Sequence, residues 1–151
     1  MIPKKKLNEI IKLLPIASID CIIKINNKFL LLKRKNPPAK HRFTFPGSII
    51  QKKNSINKSI QNILKNELGI RIKNKPKLFD ARKFFFYKNF SDKRDKVEYL
   101  SLLFLINLTK EYINKIKIDK NHSEFILLGK NELLKNKKVL NQVRQFIKNS
   151  F

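Results

Sequence analysis

The hydrophobic pattern near the start of the chain predicts a helix followed by a β-hairpin. Lys4 to Leu14 carries apolar residues at helical spacing and stops at a proline, which cannot continue a helix. Ile19 to Ile25 alternates apolar and polar positions, except at Ile22, as a strand does. Asn26-Asn27 suits a tight turn because Asn tolerates positive φ, so Lys28 to Arg34 is the expected return strand.

The rest of the pattern predicts a mixture of helices and strands. The expected elements are a short apolar stretch over 43–45, a helix from the N-cap Ser55 to the C-cap Gly69, strands over 79–87 and 97–108, a short strand over 125–128, a short helix capped by Asn131 and a helix over 139–147. Polar connections over 88–96 and 109–121 separate them. This order lacks a regular βαβ alternation and predicts one α+β sandwich domain over residues 1–151.

Size and composition narrow the setting. A chain of 151 residues with 42% hydrophobic residues can bury one core. No segment reaches the roughly 18 uninterrupted apolar residues of a membrane helix, and the basic start lacks the pattern of a signal peptide. The lone Cys21 cannot form an internal disulfide. We therefore expect a cytoplasmic protein with no membrane partner.

The formal net charge of +24 has two interpretations. A polyanion such as RNA, or a phosphate-bearing substrate, would be attracted by it. Compositional drift towards Lys, Asn and Ile explains it equally directly, because the lysines are scattered rather than gathered on one stripe with interleaved aromatics. We favour drift, so a nucleic-acid partner stays the less favoured alternative.

Glu67 is the most informative single residue. In helical projection it lies in the middle of an apolar stripe, close to Ile60 and Ile63, and it is the one acid between Asp20 and Asp80. An inward carboxylate is costly unless it is paired, hydrogen-bonded or bound to a metal. The simpler interpretation is a carboxylate in a frayed last turn that bends out to solvent.

The surrounding motif matches the frame of the Nudix box. Phe45-Pro46-Gly47, followed by Glu67-Leu68-Gly69-Ile70, resembles this loop-helix-loop motif, in which acids bind a divalent cation on a nucleoside diphosphate. The box is eroded at five of its positions. These are Ser48 for the first Gly, Asn54 for a Glu, Asn62 for the Arg, Ile63 for a Glu and Asn66 for a Glu.

One Nudix subfamily departs from the box in a similar way. The chain resembles the GDP-mannose mannosyl hydrolases over almost its whole length, with a small gap in the loop after Tyr87. The matching stretches are Ser18-Ile19-Asp20, 29–40, Phe45-Pro46-Gly47, Gln51-Lys52, 67–70, Asn89-Phe90-Ser91, Tyr99 and Asn121-His122. The resemblance implies a Nudix-type α/β/α sandwich with a mixed β-sheet, a homodimer, and hydrolysis of GDP-mannose or GDP-glucose at the anomeric carbon.

The resemblance also assigns a metal site. It implies that Mg²⁺, with Mn²⁺ as the alternative ion, is held by the Glu67 carboxylate, the Gly47 carbonyl and Asn121, where the family has Gln. Oxygen ligands of this kind suit Mg²⁺. A diphosphate would bring further oxygens and charge of its own.

Four further residues receive catalytic or substrate roles from the same resemblance. His122 falls on the general base, Arg34 on the arginine that stabilises the departing GDP, and Asp20 and Tyr99 on positions that contact the sugar. Each also has a simpler interpretation: a loop histidine, a solvated arginine, a carboxylate paired with a lysine and a core tyrosine.

Departures from the subfamily leave other functions open. A family arginine is Ile49 here, a strand histidine is replaced within Phe84-Phe85-Phe86, and Asn121 is shorter than Gln. One alternative is a non-catalytic Nudix-like module that binds nucleotide sugar or nucleic acid. Another is a pyrophosphohydrolase that attacks phosphorus, which the loss of acids at Ile63 and Asn66 disfavours.

Overall fold

A seven-stranded mixed sheet forms the centre of the structure, a computed structural model that describes residues 3–87 and 96–151. The helices and strands are, in chain order, α1 (Lys4–Leu13), β1 (Ile16–Ile25), β2 (Lys28–Arg34), β3 (Phe43–Thr44), β4 (Gly47–Ile49), α2 (Ile56–Leu68), β5 (Lys77–Tyr87), β6 (Lys96–Leu108), β7 (His122–Leu128), α3 (Lys130–Lys135) and α4 (Asn141–Ser150). A 3₁₀ helix over Lys110–Lys115 follows β6.

The strands run in the order β3-β2-β1-β6-β5, with β4 pairing with β1 and β7 pairing with β2. The β1–β6 pair is parallel, whereas the other pairs are antiparallel. The parallel pair places β1 in the middle of the sheet, where both of its faces are covered. The mixed sheet that the sequence predicted is confirmed.

Two hydrophobic clusters cover the two faces of this sheet. Ile19, Ile23 and their neighbours pack against α2 on one face. Ile22 and Phe29 pack against α3 and α4 on the other face. The break in alternation at Ile22 is therefore a consequence of burial on both faces, since neither face of β1 is free to be polar along its whole length. The expected α/β/α sandwich is the observed architecture.

The helix α2 is delimited as its sequence indicates. The Ser55 side chain accepts a hydrogen bond from the Lys58 N–H at 3.2 Å, and Gly69 ends the helix with φ 66°. Beyond the helix, Lys117 N–H donates to the Leu68 carbonyl at 2.8 Å and Asp119 N–H to the Glu67 carbonyl at 3.3 Å. The segment after the 3₁₀ helix is thereby tied to the carboxyl end of α2.

Several predicted boundaries were wrong by a few residues. β1 begins at Ile16 rather than Ile19 because its parallel pairing with β6 starts at Ile16. β7 begins at His122 rather than Phe125 because a bulge lets its first residue pair with Arg34.

Smaller differences affect the other elements. β4 was not predicted as a strand, α3 begins at Lys130 after an N-cap at Gly129, and α4 covers 141–150 rather than 139–147. Most of the predicted 88–96 loop, including Asn89-Phe90-Ser91, lies outside the described residues. Within the described ranges, no helix has the length and apolar character needed to cross a membrane.

We expect Leu64→Ala to lower the free energy of unfolding by about 2–5 kcal/mol, because Leu64 is fully buried between α2 and the sheet and its truncation leaves a cavity. Chemical denaturation measures the change. Leu78→Ala, at a side chain that is 55% exposed, is the matched control and should cost much less. Equal losses in the two variants would contradict the assigned packing of α2.

Candidate active site

The predicted site begins where β4 approaches β1. Gly47 pairs with Asp20 in the antiparallel register of these strands. A Cβ at position 47 would lie 2.7 Å from the Ile19 carbonyl oxygen and would overlap the Asp20 carboxylate. Only glycine fits this approach without displacing the backbone. The Gly47 backbone is therefore held directly beside two candidate residues.

Glu67 faces this loop rather than the solvent. The Gly47 N–H donates to Glu67 Oε2 at 3.2 Å, and the side chain is half-buried. The interpretation of Glu67 as a carboxylate that bends out to solvent from a frayed last turn is therefore wrong. Burial raises the pKa of Glu67 from 4.5 to about 8, against the lowering effect of the Gly47 hydrogen bond and with a further raising effect of Asp119.

Asp20 is held by Ser101 on the neighbouring strand. The Ser101 hydroxyl donates to Asp20 Oδ2, so the interpretation of Asp20 as a lysine partner is not what the structure shows. Burial raises the pKa of Asp20 from 3.8 to about 6, although the Ser101 hydrogen bond and the Arg34 charge both lower it. Burial also raises the pKa values of Glu67 and Tyr99, and the Arg34 charge offsets part of each rise. Arg34 therefore lies within electrostatic reach of Asp20, Glu67 and Tyr99.

Arg34 and His122 are brought together by the β2–β7 pairing. They are partners in the register, immediately after the bulge that follows Leu32. Arg34 Nε donates to the Pro38 carbonyl at 2.7 Å, which holds the half-buried guanidinium in place. Neither residue has the solvated, unconstrained environment of its simpler interpretation.

Asp119 is the site residue that sequence reasoning missed. His122 Nδ1 lies 2.6 Å from Asp119 Oδ1, and the His122 side chain is only 6% exposed. A carboxylate at Nδ1 favours the tautomer with a proton on Nδ1, which leaves the Nε2 lone pair as the basic position. The available signal in the sequence was an Asp three residues before a His. The two side chains meet because residues 117 and 119 are hydrogen-bonded to the end of α2, and the sequence pattern does not reveal those bonds.

Asn121 is fixed by two partners. Its amide Nδ2 donates to Asp119 Oδ2 at 3.1 Å, while its Oδ1 accepts from Asn36 Nδ2 at 3.3 Å. An amide oxygen has two lone pairs, so one remains for a cation. Asp119 therefore orients both of the neighbouring side chains that the sequence singled out.

A cavity of about 350 Å³ opens beside these residues and is lined by Asp20, Arg34 and Tyr99. The Tyr99 ring packs edge-on against Phe86, with the ring centroids 5.6 Å apart. Tyr99 also lines the cavity, so it forms part of the cavity wall rather than the inner core. Ile49 and Phe84 also line the cavity. This part of the cavity wall is therefore apolar at Ile49, where the sequence predicted the loss of an arginine, and within 84–86, where it predicted the loss of a histidine.

A smaller cavity of about 110 Å³ lies beside Glu67. It is lined by the eroded positions of the box, namely Ser48, Asn54, Asn62, Ile63 and Asn66, together with Ile49, Gln51, Ser59 and Glu67. A Nudix box with all its acids would place a cluster of carboxylates here. In this chain the cavity has the single carboxylate of Glu67, surrounded by side chains that carry no negative charge. In the described part of the chain, no three His, Cys, Asp or Glu side chains form a cluster that could hold a metal.

The donor set nevertheless fits a hard divalent cation that shares a substrate's oxygens. The Glu67 carboxylate, the Gly47 carbonyl and the Asn121 amide all offer oxygen, the ligand type that Mg²⁺ and Mn²⁺ accept. The buried Glu67 carboxyl, whose pKa is raised, would be relieved of its desolvation cost by such a cation.

Solved structures share the fold of this protein over nearly the whole chain. The MutT protein of Methanosarcina mazei Go1 is 18% identical, with a TM-score of 0.71 over 89% of this chain and 92% of that one. A MutT NUDIX hydrolase of Burkholderia pseudomallei is 14% identical, with a TM-score of 0.74 over 91% and 99%. This chain has the Nudix fold. The NUDIX domain of Shewanella oneidensis NrtR, complexed with ADP ribose, shares that fold at 13% identity, with a TM-score of 0.67 over 90% and 88%.

A shorter stretch of the chain shows similarity in sequence to a curated protein. An ADP-ribose pyrophosphatase of Methanocaldococcus jannaschii is 36% identical over 56 residues, which is 37% of this chain and only 33% of that enzyme. No family model matches the chain.

We expect the free energy of unfolding, measured with a chelator present, to fall as the pH rises from 6 to 8, because the pKa of Glu67 is raised in the native state. Below pH 4.5 the carboxyl is protonated in both states. Between 4.5 and about 8 the native state retains a proton that the unfolded chain releases, so stability is lost at up to about 1.4 kcal/mol per pH unit. Asp20 also lowers the free energy of unfolding as the pH rises, but its contribution is complete near pH 6, because its native pKa is about 6.

Denaturation of Glu67→Gln across this pH range tests the effect. We expect a smaller loss of stability than in the wild type, because Gln keeps the shape of the neutral acid and cannot ionise. Glu132→Gln, at an exposed position of α3, should keep the wild-type pH dependence. The same slope in Glu67→Gln and wild type would show that Glu67 is not a buried acid.

Proposed function

We propose that this chain hydrolyses a nucleoside-diphosphate sugar, with GDP-mannose or GDP-glucose as the expected substrate, by attack of water on the anomeric carbon. The observation that carries the proposal is the Asp119–His122 pair, whose members are 2.6 Å apart. His122 is in register with Arg34, which lines the cavity. This arrangement supplies an oriented base next to a cation. Those are the two groups that displacement of a diphosphate requires.

Each residue then has a defined task. His122 Nε2 accepts a proton from water as the water oxygen bonds to the anomeric carbon, and Asp119 stabilises the resulting imidazolium. The bond from that carbon to the diphosphate oxygen breaks, and Arg34 stabilises the charge on the departing GDP. Asp20 and Tyr99 line the cavity on the sugar side. The reaction yields GDP and a free hexose of inverted configuration.

A divalent cation would be held by Glu67, the Gly47 carbonyl and Asn121. Mg²⁺, or Mn²⁺ in its place, supplies charge neutralisation of the leaving diphosphate when bound. The chain keeps the Glu67 carboxylate in position through the Gly47 N–H, and it keeps Asn121 in position through Asp119. A single carboxylate is sufficient for this role because the diphosphate contributes its own oxygens.

A pyrophosphohydrolase that attacks phosphorus is the second candidate. The partial similarity to an ADP-ribose pyrophosphatase and the fold shared with a domain that binds ADP ribose favour it. The cavity beside Glu67 argues against it, because Ile63 and Asn66 offer no carboxylate there to bind further metal or activate water. A non-catalytic module that binds nucleotide sugar or nucleic acid is the remaining alternative.

Products formed in H₂¹⁸O distinguish these functions. We expect GDP-mannose or GDP-glucose with Mg²⁺ to give GDP and a hexose that carries the ¹⁸O label. GMP with a hexose phosphate, or AMP with ribose phosphate from ADP-ribose, would assign the attack to phosphorus. Absence of turnover with all three substrates would reject the enzymatic proposal, and salt-sensitive RNA binding would then support the non-catalytic alternative.

His122→Gln should lower kcat about 10²–10⁴-fold, because the general base is removed, with a smaller effect on KM. Asp119→Asn should also lower kcat, since the imidazole loses its oriented carboxylate partner. His41→Asn is the matched control: His41 is exposed and has φ 64°, a conformation that Asn tolerates. Wild-type kcat in His122→Gln would remove His122 from the mechanism.

A further inference from the structure

The first helix, α1, exposes an apolar edge that the rest of the described structure does not cover. Leu13 is 81% exposed, Leu14 is 65% exposed and Ile10 is 42% exposed. Ile11, on the side that faces the body of the protein, is half-buried. The helix packs against β6. It therefore docks along one side and presents large aliphatic side chains to solvent along another.

The same helix is strongly basic. Its ten residues include four lysines and one glutamate. Lys5, Lys6 and Lys12 are exposed. In helical projection Lys6 lies beside Ile10 and Leu13, whereas Lys5 and Lys12 lie on the opposite side. Flexible lysine stems beside an apolar edge can keep their ammonium groups at a water boundary while the edge itself is buried.

We propose that α1 binds the surface of an anionic lipid bilayer, lying in the plane of the headgroups with Ile10, Leu13 and Leu14 in the acyl boundary. Basic charge and an exposed aliphatic edge on one helix match the two contributions to such binding, attraction to acidic headgroups and burial of apolar area.

Charge decides between this partner and the others. A second copy of the chain would bring two basic helices together in proteins that each carry a net charge of +24. A nucleic-acid backbone would satisfy the lysines but would leave the leucines in water. An anionic lipid surface offers complementary contacts to both the lysines and the leucines. The earlier expectation of no membrane partner was based on the lack of a spanning segment and did not include side-chain exposure.

The chain has no tryptophan, so a single substitution creates a specific reporter. Leu13→Trp places the indole on the proposed contact edge. Leu78→Trp places it on β5, at a side chain that is 55% exposed, as the matched control. With vesicles of equal parts phosphatidylcholine and phosphatidylglycerol, we expect the emission of Leu13→Trp to shift to shorter wavelength and to be protected from acrylamide. Pure phosphatidylcholine vesicles should produce little change.

Co-sedimentation of the full chain with the same vesicles provides the second measurement. Leu13→Ser with Leu14→Ser should weaken binding about tenfold or more, because both apolar contacts are removed at exposed positions that the fold does not need. Leu78→Ser should bind as the wild type does.

Three results would overturn the proposal. An unchanged Leu13→Trp spectrum on acidic vesicles would show that the edge does not enter lipid. If the Leu13/Leu14 double variant bound acidic vesicles as strongly as the wild type does, the attraction of the protein to the vesicles would be due to its net charge and not to the apolar edge. Self-association that disappears in the double variant, without vesicle binding, would assign the edge to a second copy of the chain.

Discussion

The hydrogen bond from the Gly47 N–H to Glu67 joins the loop at the end of the sheet to the last turn of α2, and the candidate site is built around it. It depends on the close approach of β4 to β1, which only glycine at position 47 permits. It also depends on a carboxylate within the apolar stripe of α2. If either were replaced, the loop and the helix would lose the one described side-chain hydrogen bond between them.

The acidic residues converge in a way that the global charge does not suggest. The chain has 11 acids against 35 lysines and arginines, and two of those acids, Asp20 and Asp119, lie within electrostatic reach of a third, Glu67. Three carboxylates are therefore grouped in a chain that is otherwise rich in lysine. Arg34 stands among them as the compensating cation, and burial still keeps the pKa values of Asp20 and Glu67 raised.

Sequence patterns were sufficient for the sandwich, and a family resemblance supplied most of the candidate site residues, but neither predicted the contacts among those residues. Periodicity identified α2 and the apolar stripe around Glu67 because a single helix determines them. The partnership of Asp119 with His122 could not be predicted, since it depends on backbone hydrogen bonds that tie residues 117 and 119 to the end of α2. The early start of β7 was missed because one residue of bulge alters the pairing without leaving a mark in the hydrophobic pattern.

The bulge between Leu32 and Arg34 gives the site a particular sensitivity to insertions and deletions. Side chains alternate faces along a strand, so the bulge determines which residue of β7 stands opposite Arg34. Point substitutions elsewhere in β2 or β7 leave that alignment intact. The loss or gain of one residue between positions 32 and 34, or between 122 and 125, would place a neighbour opposite Arg34. A variant of this chain that retains the spacing can therefore change much of the surrounding composition and still keep His122 opposite Arg34.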